Sequence, residues 1–135
     1  MRIIGTGSAH PKRTLTNDDL SKMMDTSDEW IRERTGICTR QIITDETLEE
    51  LAAKAAQHAL DDAGIKAEDL DYIICSNVVY EYATPTISSI VEGFIGASCP
   101  CVDLNAACSG FIYAIDFADA LLQADRATNI LVMAA

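Results

Sequence analysis

Val102-Asp103-Leu104-Asn105-Ala106-Ala107-Cys108-Ser109-Gly110-Phe111 contains one cysteine at the point where an apolar strand becomes a helix. The small residues around Cys108 let the backbone turn sharply and leave the sulfur open to a substrate. If the helix starts at Ser109 or Gly110, the sulfur faces unpaired backbone N–H groups and the positive end of the helix dipole. That setting favours the thiolate, which is the nucleophilic form of cysteine. The stretch therefore predicts an activated cysteine.

The bulk composition is that of a globular protein. The chain has 135 residues, of which 49% are hydrophobic and 23% charged, so we expect one domain at most with a genuine core. No apolar run approaches the ~20 residues of a membrane helix, and no signal-peptide core follows Met1. The five cysteines are an odd number without disulfide-scaffold spacing. We therefore expect a cytoplasmic protein with no membrane partner.

The net charge of −11 is distributed unevenly. Residues 1–40 carry a net charge of +1 and residues 41–135 carry −12. This acidic excess makes nucleic acid a poor partner, and most of it is expected to be solvated surface. An anionic ligand would more readily meet the first forty residues, where Arg32, Arg34 and Arg40 cluster.

Strands alternate with helices along the chain, which predicts an α/β fold with a central sheet. We expect strands at 2–8, 38–43, 72–76, 102–104 and 129–135. Caps and glycines predict helices at 17–24, 26–36, 47–64, 85–95 and 111–123. In the last helix, the residues expected to face the core are Phe111, Ile112, Ile115, Leu121 and Leu122.

The chain stops on an apolar run, Ile130-Leu131-Val132-Met133-Ala134-Ala135, which is typical of an interior strand. Such a strand left at the edge of a sheet invites aggregation. We therefore expect that the chain is truncated or is completed by another chain.

Two other patterns are weak candidates for ligand sites. Gly5-Thr6-Gly7 lacks the third glycine of a dinucleotide fingerprint, so a tight turn after the strand is favoured. The cysteines form no C-x-x-C pair and neither histidine has ligand spacing, so no metal is expected. Cys38, Cys75 and Cys101 lie in apolar runs and are interpreted as small core residues.

The histidines and the single tryptophan leave alternatives open. His10 or His58 could act as a base for Cys108, but their spacing does not support that role. Trp30 with Arg34 one turn later is either a core anchor beside a surface arginine or a grip for a flat, phosphorylated ligand. Spacing alone favours the core anchor.

Four motifs, taken together, resemble β-ketoacyl-acyl carrier protein synthase III, a condensing enzyme with the thiolase fold. They are its first strand (Ile3-Ile4-Gly5-Thr6-Gly7-Ser8), its coenzyme A segment (Asp25-Thr26-Ser27-Asp28-Glu29-Trp30-Ile31 with Arg34-Thr35-Gly36-Ile37), a later loop (Ala83-Thr84-Pro85) and its active-site elbow (Asn105 to Phe111). The resemblance implies a thiolase-like α/β fold, of which residues 1–135 are the amino-terminal half. It implies a mixed central sheet with helices on both sides.

The resemblance also implies roles for individual residues. Cys108 would take the acyl group from a short acyl-CoA, and its own N–H would help form an oxyanion hole. Trp30 would stack on adenine, with Arg34 and Thr26 contacting the nucleotide. Thr84 would lie on the loop that reaches the partner's acyl pocket in a homodimer. Acyl-CoA is then a substrate, and no cofactor is expected.

Family chains are more than twice as long as this one. Their catalytic histidine and asparagine lie in the second half, so condensation with malonyl-acyl carrier protein is not expected from these 135 residues alone. The acidic carrier protein would dock on basic surface near residues 30–40 or on a part outside this chain. The alternatives are a free-standing half that acts as a non-catalytic partner of a full synthase, and a related cysteine acyltransferase of polyketide or quinolone type.

Overall fold

The chain divides into two units in the computed structural model, which describes residues 1–78 and 80–135. The larger unit contains Met1–Ala9 and Leu48–Ala135, and the smaller unit contains His10–Thr47. No helix in these described residues has the length and apolar character needed to cross a membrane.

A three-stranded sheet forms the centre of the larger unit. Strand β3 (Tyr72–Ser76) lies between β4 (Cys101–Leu104) and β5 (Ile130–Ala134), and both neighbours run parallel to it. The apolar sequence of β3 suits this position, because strands of a parallel sheet are covered on both faces. The three strands confirm the predicted positions to within one residue at most ends.

Helices cover both faces of this sheet, as expected for the α/β class. On one face, α3 (Leu48–Ala63) and α4 (Ile87–Ile95) pack against alternate side chains of β3 and β5. On the other face, α5 (Gly110–Gln123) packs against the intervening side chains. Ile73 and Cys75 therefore face α3 and α4, whereas Ile74 faces α5.

The helix boundaries follow from capping residues that the sequence shows directly. The Thr86 hydroxyl accepts a hydrogen bond from the Ser89 N–H at the start of α4, which ends at Gly96 with φ 73°. Helix α3 ends before Gly64, whose φ is 68°. Glycine adopts this left-handed conformation without the steric cost that a Cβ brings.

The smaller unit contains a two-stranded antiparallel sheet and two helices. Strand β1 (Arg13–Thr16) pairs with β2 (Thr39–Ile42), and α1 (Asn17–Ser21) and α2 (Asp28–Thr35) lie between them in the chain. The prediction missed β1. Its buried Leu15 lies between two threonines, and β-branched residues are common in strands. It also extended α1 three residues too far.

The prediction of a buried strand at 2–8 is wrong. Met1–Ala9 has no strand hydrogen bonds among the described residues, and the Ile3 side chain is 70% exposed. A cavity of about 790 Å³ is bounded by this segment, α3, α5 and β5, so the segment has no neighbouring strand to pair with. It is held by α3 instead, where the Asp62 carboxylate accepts a hydrogen bond from the Thr6 N–H at 2.8 Å.

The predicted core face of α5 is partly wrong. Phe111 and Ile112 are 42% and 63% exposed, whereas Ala114 and Ala118 are fully buried. Small residues lie against the sheet here because α5 packs closely on β3. Ile115, Leu121 and Leu122 are half-buried.

Candidate active site

Cys108 lies in a single turn of 3₁₀ helix, Ala107–Ser109, between β4 and α5. Helix α5 begins at Gly110, which is one of the two starts predicted. Ala107 has φ 46°, a conformation that costs a residue with a Cβ. The turn is therefore as sharp as its small residues predict, and it leaves the Cys108 side chain exposed.

The backbone amides on either side of Cys108 are engaged in hydrogen bonds. The Ala107 N–H donates to Asn105 Oδ1 at 3.5 Å, and the Ser109 N–H donates to the Ala106 carbonyl at 3.1 Å. The Gly110 N–H donates to the Ala107 carbonyl. Within residues 1–78 and 80–135, neither the N–H nor the thiol of Cys108 has a hydrogen-bond partner. An exposed thiol and a free backbone donor therefore lie side by side on one residue.

Gly110 fixes this turn against the central sheet. A Cβ at residue 110 would overlap the Ser76 hydroxyl at the end of β3, so any larger residue would force the Ser76 side chain to move. No local sequence pattern indicates this contact, because Ser76 and Gly110 are far apart in the chain.

Three of the other four cysteines are more buried than Cys108. Burial and the nearby Asp103 charge raise the pKa of Cys75 to about 12, and burial raises the pKa of Cys101 to about 12. The interpretation of Cys38 as a core residue is wrong, because Cys38 is exposed just before an edge strand. No cluster of three or more metal-ligating side chains occurs in the described part of the chain.

Trp30 and Arg34 form one feature on α2. The Arg34 guanidinium carbon lies 4.5 Å from the centroid of the Trp30 ring, in a cation–π contact. Trp30 is 52% exposed, so it is not the core anchor that spacing alone favours. Thr26 is half-buried just before the helix, and the neighbouring Ser27 hydroxyl caps it by accepting from the Trp30 N–H at 3.1 Å.

The predicted cluster of arginines is not a free basic patch. Arg32 forms an ion pair with Asp28 at 2.7 Å, which lowers the pKa of that carboxyl. Arg40 Nη2 donates to Asn17 Oδ1 at 2.7 Å and so connects β2 to the start of α1. Two of the three arginines are therefore already paired within the smaller unit.

The other candidates have structural contacts. His58 Nδ1 lies 2.9 Å from the Ser8 carbonyl, to which it donates. A Cβ at Gly5 or Gly7 would clash with the α3 backbone, which explains both glycines. Thr84 is exposed and precedes a cis peptide bond to Pro85. Cys108 and Thr84 belong to the larger unit, and Thr26, Trp30 and Arg34 to the smaller.

Residues 32–134 match the family model described as thiolase, N-terminal domain. The chain belongs to this thiolase family. The predicted thiolase fold is thereby confirmed. Cys108 is the residue that the motif resemblance implies as the nucleophile.

Among thiolase-fold proteins, this chain is similar to synthases of type III. The chain is 47% identical over 132 residues to a β-ketoacyl-[acyl-carrier-protein] synthase III of Vesicomyosocius okutanii. The alignment covers 98% of this chain and 42% of the relative. The fold of this chain matches the crystal structure of 3-oxoacyl-[acyl-carrier-protein] synthase III from Aquifex aeolicus, with a TM-score of 0.96 and 44% sequence identity. The match covers 99% of this chain and 44% of that one. The chain thus spans about two fifths of the length of such relatives.

A priming β-ketosynthase from the R1128 polyketide biosynthetic pathway has a similar structure. Its TM-score is 0.95 at 32% identity, covering 98% of this chain and 40% of that one. The resemblance to synthase III predicted from the motifs is confirmed.

Proposed function

We propose that these residues form the amino-terminal half of a β-ketoacyl-acyl carrier protein synthase III, which catalyses the initiating condensation of fatty-acid synthesis. The observation that carries the proposal is the Cys108 turn. It presents an exposed thiol and an unengaged N–H on the same residue, at the carboxyl end of a parallel strand. Ligands of open α/β sheets bind at that end of the strands.

The first step is transfer of an acyl group to Cys108. The thiolate attacks the thioester carbonyl of a short acyl-CoA, which forms a carbon–sulfur bond and places negative charge on the carbonyl oxygen. The free Cys108 N–H donates to that oxygen. The tetrahedral intermediate then expels the thiolate of coenzyme A, which takes up a proton, and the acyl group remains on Cys108.

The nucleotide part of acyl-CoA binds at Trp30 and Arg34 in this proposal. The exposed indole offers a face for stacking a planar base, and the adjacent guanidinium offers a cation for phosphate. Thr26, at the start of the same helix, contacts the nucleotide. Acyl-CoA is a substrate here and no cofactor is required.

The second step is decarboxylative condensation with malonyl-acyl carrier protein. Its histidine and asparagine come from the second half of the full-length synthase, which also forms a homodimer with the Thr84 loop near the partner's acyl pocket. The enzyme acts in the cytoplasm, in line with five cysteines that are all unpaired. Arg34 is the arginine of the 30–40 region best placed to meet an acidic carrier protein, since Arg32 and Arg40 are engaged.

The test uses the complete protein that contains these residues. The purified protein is incubated with acetyl-CoA and malonyl-acyl carrier protein, and the carrier protein is analysed by mass spectrometry. We expect a β-ketoacyl carrier protein with the wild type and none with Cys108→Ala. Equal product from both proteins contradicts the proposal.

A polyketide priming role is the second candidate, favoured by the similarity to the R1128 enzyme. Both roles use the same acyl transfer to Cys108, so they differ in donor and acceptor. A panel of acyl-CoA donors, tested with fatty-acid and polyketide carrier proteins, separates them.

A further inference from the structure

The Asp103 carboxylate accepts hydrogen bonds from three donors on two other segments. Oδ2 accepts from Asn77 Nδ2 at 2.6 Å and from the Ile87 N–H at 3.1 Å. Oδ1 accepts from the Ser88 N–H at 3.1 Å. Asp103 therefore connects β4 to the residue after β3 and to the start of α4.

The contact with α4 completes the start of that helix. The first N–H groups of a helix have no partner inside it, and a carboxylate there is further stabilised by the helix dipole. Asp103 accepts from the first two N–H groups, and the Thr86 hydroxyl accepts from the third, at Ser89. One side chain from β4 thus fixes where the loop before α4 ends.

The contact with Asn77 fixes the other end of the same loop. The Asn77 N–H donates to the Leu104 carbonyl at 3.2 Å, and Asn77 Oδ1 accepts from the Tyr80 N–H at 3.2 Å. Asn77 and the start of α4 are therefore both tied to β4. Cys108 follows that strand, at the same carboxyl edge of the sheet.

We propose that Asp103 is a positioning residue for acyl transfer, which holds Asn77 and the start of α4 in register with β4, the strand that leads into the Cys108 turn. It touches no reacting atom. It acts by fixing the end of β3, where Ser76 packs on Gly110, and with it the Cys108 turn, so that the acyl thioester meets the sulfur in a productive orientation. This inference rests on the proposed acyl transfer.

Asp103→Asn tests the idea with almost no change in shape. The amide keeps one acceptor oxygen and replaces the other with an NH₂ donor, which then faces N–H donors. In the complete protein, we expect the rate of acetyl transfer from acetyl-CoA to Cys108 to fall about tenfold to a hundredfold. The affinity for coenzyme A, measured by quenching of Trp30 fluorescence, should stay at the wild-type value.

Asp71→Asn is the matched control. The Asp71 carboxylate also accepts from two backbone N–H groups, those of Thr128 at 2.7 Å and Asn129 at 3.1 Å, and these bonds lower its pKa. Asp71 precedes β3, so it lies at the amino ends of the parallel strands, whereas Cys108 lies at their carboxyl ends. We expect this variant to lose thermal stability comparably and to acylate at the wild-type rate.

The double variant that combines Asn77→Asp with Asp103→Asn tests the bond itself. The amide introduced at position 103 can donate to the carboxylate introduced at position 77 and accept from the Ser88 N–H, so part of the lost rate should return. If Asp103→Asn does not fold, Asn77→Ala serves instead, because it removes the donor to Asp103, together with the acceptor of the Tyr80 N–H, and leaves both bonds from α4 to Asp103. We expect a smaller fall in rate from that variant.

Alkylation of Cys108 by iodoacetamide separates this inference from the proposed function. A wild type that is alkylated but takes no acyl group contradicts the proposed function. A folded Asp103→Asn protein that is alkylated and acylated like the wild type contradicts the positioning role. Equal losses of rate in the Asp103 and Asp71 variants also contradict it, because they indicate a general effect of stability.

Discussion

The hydroxyl of Ser76 occupies the space where a Cβ on Gly110 would lie. Ser76 ends the central strand β3, and Gly110 begins α5 directly after the Cys108 turn. Both residues are buried. This contact sets how closely the turn approaches the carboxyl end of the strands, and glycine at position 110 lets the Ser76 side chain keep its position.

Gly110→Ala should destabilise the protein by about 1–3 kcal/mol, because the new methyl group overpacks the contact with Ser76. Denaturant unfolding of the complete protein measures the change. Adding Ser76→Ala removes the overlapping oxygen and should recover most of the loss.

Gly93→Ala is the control for the Gly110 variant. Gly93 lies within α4, and no neighbouring atom of the described residues comes within 4 Å of the position that an added methyl group would take. Alanine there should stabilise the helix by about 0.5–1 kcal/mol, since glycine is a poor helix former. If both alanine variants change stability in the same direction, the packing account of Gly110 is wrong.

The sequence was sufficient to predict strands β3, β4 and β5, the helices of the larger unit and the turn that contains Cys108. Strands β3, β4 and β5 are short apolar runs, and α3 and α4 end at glycines with positive φ. The contacts of Ser76 with Gly110 and of Asp103 with α4 could not be predicted in this way. They join distant parts of the chain, and no local pattern encodes which residues the sheet brings together.

Trp30→Ala should weaken binding of coenzyme A by roughly 5- to 150-fold, which corresponds to the about 1–3 kcal/mol of one stacked base. Arg34→Ala should weaken it by a few fold. Arg32→Ala is the matched control, because that arginine lies on the same helix but is paired with Asp28. Isothermal titration calorimetry measures all three, and a loss with Arg32→Ala as large as with Arg34→Ala contradicts the assignment.

Iodoacetamide should alkylate Cys108 and Cys38 first at pH 8, because both are exposed. Cys75 and Cys101 should react far more slowly, since burial raises the pKa of each thiol to about 12. Peptide mass spectrometry over a time course gives the order. Early modification of Cys75 in folded protein would contradict the burial of this thiol in the central sheet.

Glu46 should make the smaller unit sensitive to acid. Its carboxylate accepts from the Lys12 N–H at 2.9 Å and the Thr44 N–H at 3.3 Å, which lowers its pKa from 4.5 to about 2. The unfolded chain therefore binds more protons between these pH values, so the stabilisation is complete above pH 4.5 and is lost as pH falls toward 2.

Glu46→Gln checks this pH dependence. The wild type should be the more stable protein above pH 4.5, and the difference should shrink as the carboxylate of Glu46 is protonated. Carbon NMR of the Glu46 carboxyl group measures the pKa directly. A carboxyl that titrates at the usual value of 4.5 contradicts the two hydrogen bonds.

The errors of sequence-based prediction have physical causes in particular residues. The segment 2–8 has the composition of a strand, but a strand also needs a partner, and this segment lies beside a cavity. Cys38 lies in an apolar run, but it directly precedes an edge strand and is exposed. Trp30 is exposed despite its size, which spacing on a short helix could not indicate.

The most direct measurement of the central claim is the site of the acyl group. The complete protein is incubated with acetyl-CoA alone, digested, and analysed by peptide mass spectrometry before and after treatment with hydroxylamine, with Cys38→Ala as control. The account predicts one acetyl thioester, on the peptide that contains Cys108, present in wild type and Cys38→Ala and removed by hydroxylamine. An acetyl group carried on another residue, with Cys108 unmodified, would contradict it.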